Sequence, residues 1–144
     1  MFEIIDLIVE GIAKAIRKDF SSDEFKVYTE FIEQGINKSF FIKCKERTEK
    51  PFIKGRYRLD ADFDIQFITS EKNKNDICQN VANLLYSSLE FISFDDGLIR
   101  GNKMKHEITE GILHFYVTYT TFFYRFKKQN VDFMETLSVK EKTI

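Results

Sequence analysis

Ile5, Ile8, Ile12 and Ile16 recur at helical spacing in the opening stretch. Leu7, Val9 and Ala15 widen the apolar stripe, and Glu3, Asp6, Glu10, Lys14, Arg17 and Lys18 occupy the other faces. The pattern predicts an amphipathic helix over about residues 2–19. Acidic residues early and basic ones late suit the helix dipole, at ~0.3–1 kcal/mol each when exposed. Burying the isoleucines contributes more, roughly 1.5–3 kcal/mol per side chain.

Ser21, Ser22 and Asp23 break the helical pattern, and the spacing then changes to two. Val27, Thr29 and Phe31 alternate with Tyr28, Glu30 and Ile32, predicting a strand near 26–32. Phe40, Ile42 and Cys44 alternate with Phe41, Lys43 and Lys45, predicting another near 39–46. In RYRLDADFDIQFIT, Tyr57, Leu59, Ala61, Phe63, Ile65 and Phe67 face one way, and Arg58, Asp60, Asp62, Asp64 and Gln66 the other. This predicts a long, one-sided strand over about 56–69.

Asp76, followed three residues later by Gln79, has the form of a capping box, and Ile77, Val81, Leu84, Leu85 and Leu89 supply an amphipathic helix near 76–90. Residues 94–97, FDDG, look irregular. Met104, His106 and Ile108 then alternate into Glu110-Gly111, and 112–124 alternates again, predicting a tight hairpin. The expected fold is α+β: an antiparallel or mixed sheet of about five strands with two amphipathic helices on one face, in the order α-β-β-β-α-β-β. Residues 1–126 form a single domain in this reading. Residues 127–144 form a partly extended arm whose scattered Val131, Phe133, Met134 and Leu137 are too few to make a core of their own.

Composition agrees with one folded core: 43% of the 144 residues are hydrophobic and 31% charged. Lys and Arg total 22 against 23 acidic residues, so there is no global attraction to phosphate or to an anionic membrane, and an electrostatic partner must be met locally. The two cysteines, Cys44 and Cys78, have no metal-ligand spacing and suit a reducing compartment. Glu3, Asp6 and Glu10 interrupt the apolar opening, which argues against a signal peptide or a membrane span and for synthesis and use on the cytoplasmic side.

Candidate chemistry is sparse. Asp60, Asp62 and Asp64 offer three carboxylates on one strand face, but same-face residues lie ~6.5–7 Å apart, too far to share one ion without a bulge. They read better as a solvated or interface-facing acidic ladder. His106 and His114 fall on the two arms of the last hairpin without metal-ligand spacing. Neither phosphate-cradling glycine motifs nor a nucleophile elbow occurs, so no catalytic, metal or cofactor residue is assigned. Lys43, Lys45, Arg47, Lys50, Lys54 and Arg56, with Arg58, make a basic hairpin that reads first as a solvated loop, more sharply as a docking surface for an acidic protein, and thirdly as a nucleic-acid contact, though without an RNP-like aromatic motif.

The opening IIDLIVEGIAKAI, the strand RYRLDADFDIQF, the helix DICQNVANLLYSSL and the stretch IRGNKMKHEITEGILHFYVTY together resemble the tail terminator, or tail completion, proteins of long-tailed phages and phage tail-like particles, especially contractile ones. Gly101, Met104, Glu107, Glu110, Gly111, Leu113 and Phe115 are the matching positions in the last stretch.

The resemblance implies a structural virion protein. It would form a ring, typically of six copies, that caps the tail tube, ends polymerisation and joins the head-side connector, with the sheath as a further partner. It implies a place in the virion tail or neck, assembly in the host cytoplasm, and DNA as a passenger through the channel. On that reading the ladder Asp60, Asp62 and Asp64 is a candidate for facing the channel, and the arm for reaching a neighbouring subunit with Phe133, Met134 and Leu137 as its apolar anchors. A head–tail connector or stopper component is the alternative within assembly proteins. A small metal-dependent enzyme or a nucleic-acid-binding module is the alternative from other classes.

Overall fold

In the computed structural model the described residues are 3–29 and 37–125. The order is α1 (Ile4–Asp19), β1 (Lys26–Tyr28), β2 (Ser39–Pro51), β3 (Arg56–Ile68), α2 (Lys74–Ser88), β4 (Phe91–Phe94), β5 (Gly97–Thr109) and β6 (Ile112–Tyr124). The fold is α+β, with a mixed six-stranded sheet in the spatial order β1-β2-β3-β6-β5-β4. β1 pairs parallel with β2, and β5 pairs antiparallel with both β4 and β6.

The chain divides into two compact units, Met1–Glu49 with Leu59–Thr121, and Lys50–Arg58 with Phe122–Ile144. The first contains the helices and the main core. Ile8, Ile12 and Ile16 of α1, Leu85 of α2, and Leu89 just after it are fully buried, as are Phe63 and Phe67 of β3 and Phe115 and Tyr119 of β6. Phe20, Phe25, Phe40 and Phe67 form a ring cluster with centroids 4.9–6.0 Å apart. Tyr119 donates its hydroxyl to the Leu89 carbonyl at 2.6 Å, which satisfies a polar atom inside the core. Much of the phenylalanine in this chain is therefore core packing.

The sheet has six strands rather than about five. The stretch taken as irregular is the turn of a hairpin: Phe94 pairs with Gly97, and Asp95 takes a left-handed backbone at φ 55°. β4 escaped the periodicity because it is only four residues long and exposes Phe91. The β5–β6 hairpin is as expected, its two loop residues Glu110 and Gly111 both at positive φ, as a two-residue I′ turn requires.

The capping box does not form. α2 starts at Lys74, Asn73 holds the N-cap position without a side-chain bond, and Gln79 instead binds His106. β1 is described over Lys26–Tyr28 only, and the end of the strand expected near 26–32 lies outside the described residues, as does the arm at 127–144 with Phe133, Met134 and Leu137.

Candidate assembly surfaces

β3 and β6 are neighbours, and alternation sends their non-core side chains to the same side of the sheet. Thr120 donates to Asp60 Oδ1 at 2.5 Å, and Thr118 to Asp62 Oδ1 at 2.6 Å. His114 Nδ1 lies 3.1 and 3.3 Å from the two Asp64 oxygens, and Gln66 Nε2 donates to Asp64 at 3.2 Å. Asp64 is buried and Asp60 and Asp62 are half-buried. The acidic ladder is thus a row of cross-strand clasps, each carboxylate met by a donor from β6.

Thr118 and Thr120 escaped the sequence reading, which places His114 only as a hairpin histidine, not as a partner of the ladder. The alternation of threonine on β6 is the signal, but it acquires meaning only once β6 is known to lie beside β3. Among the described residues, no group of three or more His, Cys, Asp or Glu side chains is placed to hold a metal ion.

The two histidines are not brought together. His106 lies between β5 and α2, its Nδ1 2.9 Å from the Tyr86 hydroxyl and its Nε2 3.1 Å from Gln79 Oε1. An amide oxygen can only accept, so the proton sits on Nε2 and Tyr86 donates to Nδ1. His114 lies on the ladder and stacks on Tyr116 at 6.3 Å. Cys78 is buried and Cys44 half-buried, and burial pushes both thiols above their usual range.

The basic run is divided. Arg47 is spent on Glu3 and on Glu49, the latter 2.9 Å from its Nε. Lys43 and Lys45 are exposed, and Lys45 Nζ stands 4.6 Å from the centre of the Tyr116 ring.

Lys50, Lys54 and Arg56 belong to the second unit, where the turn at Lys54 and Gly55 is left-handed. There Arg56 lies 4.3 Å from the Phe122 ring centre and 5.6 Å from that of Phe52, and the two rings are 5.4 Å apart. Tyr57 and Phe123 stack at 5.6 Å, with the Arg125 guanidinium 4.8 Å from Tyr57. Phe52 and Ile53 are 54% and 60% exposed and Phe122 is 39% exposed, so large apolar side chains face solvent among cations. Residues 50–58 carry Lys50, Lys54, Arg56 and Arg58 and no acidic residue. The basic hairpin of the sequence reading is an aromatic and cationic tip.

Exposed rings thus stand among arginines at residues 50–58 and 122–125, and the polar sheet face is locked by clasps. The model of the phage tail terminator protein family matches residues 7–132. The chain belongs to that family. No curated protein matches it. The matched span takes in most of α1 and all of the sheet, including both hairpin arms on which the family-like stretch at 99–119 lies. As a tail terminator family member it is a structural component of the virion tail with a role in tail completion. Among the described residues, no helix is long and apolar enough to cross a membrane.

Proposed function

We propose that this tail terminator assembles as a ring of its own copies, six in number, which caps the finished tail tube, stops its polymerisation and offers the head-side connector a new surface. A growing tube presents an interface that recruits the next identical ring, so a cap must bind that interface and present something different. The observation that carries the reading is the aromatic and cationic tip: Phe52, Ile53 and Phe122 are exposed apolar anchors set among Lys50, Lys54 and Arg56. Such a surface suits an acidic, ring-shaped partner end, where aromatics supply affinity and charge supplies orientation.

In a contractile particle the sheath is a second partner for the same cap. Assembly takes place in the host cytoplasm, and DNA passes through the ring. The hydrogen bonds of Asp60, Asp62 and Asp64 to Thr120, Thr118 and His114 lie within the chain, which supports a clasp between β3 and β6 over a free acidic lining of that channel.

Electron microscopy of particles made without this chain tests the proposal. Long or variable tail tubes, restored to uniform length by the wild-type chain, are expected. Tails of normal length that fail to join heads would move the assignment to a connector, and normal particles would overturn both.

A further inference from the structure

On the side of the sheet away from the helices lies a cavity of about 440 Å³ in the first unit. Its wall takes Lys45 from β2, Asp62 from β3, Lys103 and Lys105 from β5, and Tyr116 and Thr118 from β6. Two ammonium groups converge on one ring: Lys45 Nζ is 4.6 Å and Lys105 Nζ 5.6 Å from the Tyr116 centroid. Among the described residues, neither has a carboxylate within ion-pair distance. The one acid in the wall, Asp62, already accepts from Thr118 at 2.6 Å. Within the wall itself three lysines face one carboxylate, and outside it Glu107 accepts from the Tyr116 hydroxyl at 3.5 Å.

The backbone contributes as well. The β5–β6 register slips between Asn102 and Lys105, and Lys103 sits in the bulge with φ 55°, a conformation disfavoured for a long side chain. A bulge of this kind re-aims side chains and recurs beside functional sites. Here it places Lys103 and Lys105 in the wall of one cavity. The Tyr116 phenol is pushed up by burial first and then by Asp64 and Glu107, so it stays neutral and adds no negative charge to the cavity.

We infer that this cavity receives a single carboxylate, the side chain of a Glu or Asp carried by a partner protein in the tail. A single charge is required because Asp60 and Asp64 flank Asp62 along β3. They lie ~6.5–7 Å from it on the same face, well inside a Debye length of ~8–10 Å. A continuous polyanion such as nucleic acid would run along that whole row, whereas an isolated carboxylate meets three lysines and one aspartate in the wall. The inference rests on the reading of the chain as an assembly subunit, but its test uses the isolated chain and does not depend on tail length.

The test is titration of the isotopically labelled full chain, followed by amide NMR, with three probes: the peptide acetyl-Gly-Gly-Glu-Gly-Gly-amide, its Gln counterpart, and a short oligothymidylate. The Glu peptide is expected to shift the amides of Lys105, Tyr116 and Thr118 saturably, and the Gln peptide not to. The Lys45→Met, Lys105→Met double variant, with a spectrum otherwise intact, is expected to weaken that binding about tenfold, as loss of charge-assisted contacts does. Equal shifts from the Gln peptide, undiminished binding by the lysine variant, or tighter binding of the oligothymidylate at the same amides would each overturn the inference. The peptide comparison on the unmodified chain stands even where the variant fails to fold.

Discussion

A Cβ added to Gly11 would stand 2.3 Å from the carbonyl oxygen of Ser93, closer than any real side chain approaches a backbone atom. α1 therefore rests directly on the backbone of β4, the strand at one edge of the sheet. Covering an edge strand with a helix limits unplanned strand addition, a recurrent hazard of open sheets. Gly11→Ala is expected to cost about 1–3 kcal/mol, the usual range for overpacking. Gly97→Ala, with nothing within 4 Å, is the control and should change little. Urea denaturation of both variants measures the difference.

The clasps between β3 and β6 make a second prediction. Thr118→Val keeps the shape but leaves Asp62 without its donor, and is expected to destabilise by roughly 1–3 kcal/mol. Thr118→Ser should restore most of the loss because the hydroxyl returns. Asn at Asp60, Asp62 and Asp64 together should likewise lower the unfolding midpoint while leaving genome ejection at its normal rate. Slowed ejection from stable particles would instead place the ladder in the channel.

At the tip, Phe52→Ser with Ile53→Ser removes exposed apolar surface, so the unfolding free energy should stay within about 0.5 kcal/mol of wild type, as for most surface substitutions. Tail tubes made with this variant should be abnormally long. Lys50→Glu with Lys54→Glu should have the same effect, more strongly at low salt. Uniform tails in both variants would remove the tip from the capping contact.

Tyr119 gives a pH dependence with a defined sign. Burial pushes its phenol far above the ordinary tyrosine value of about 10, so the folded state holds this proton where the unfolded chain releases it. Its contribution to stability is full below pH 10 and drains away as the pH rises beyond it. Ultraviolet titration should show one tyrosine ionising only as the chain unfolds in alkali. In Tyr119→Phe that step should vanish, at the expense of the hydrogen bond to Leu89.

Much of the architecture was legible where one physical rule acted alone. The isoleucine stripe of α1, the strict alternation of β3 and the Glu110-Gly111 turn each carry a full local signal, and each element lies where its pattern places it. β4 was hidden because Phe91 faces solvent and Ile92 alone is buried, so no alternation of apolar type marks it. The start of β5 was hidden by the bulge at Lys103, which breaks the period of two. The aromatic tip was obscured for the opposite reason: Phe52 and Ile53 have core composition and are exposed. The donors to the ladder come from a strand some fifty to sixty positions away, and pairing at that distance has no local signature.

The bulge also sets the phase of everything after it. Gly101 lies opposite Tyr119 and His106 opposite Phe115, both partners buried on the helical side, so inward positions on β5 are odd before the slip and even after it. An unbroken ladder continuing from Gly101 would turn Lys103, Lys105 and Glu107 inward and expel His106 and Ile108. Removing Lys103 alone leaves each later residue on its present side, whereas removing Glu107 would invert Ile108 and the residues up to the turn. Lys103 is thus the position where β5 can change length without exchanging inside for outside.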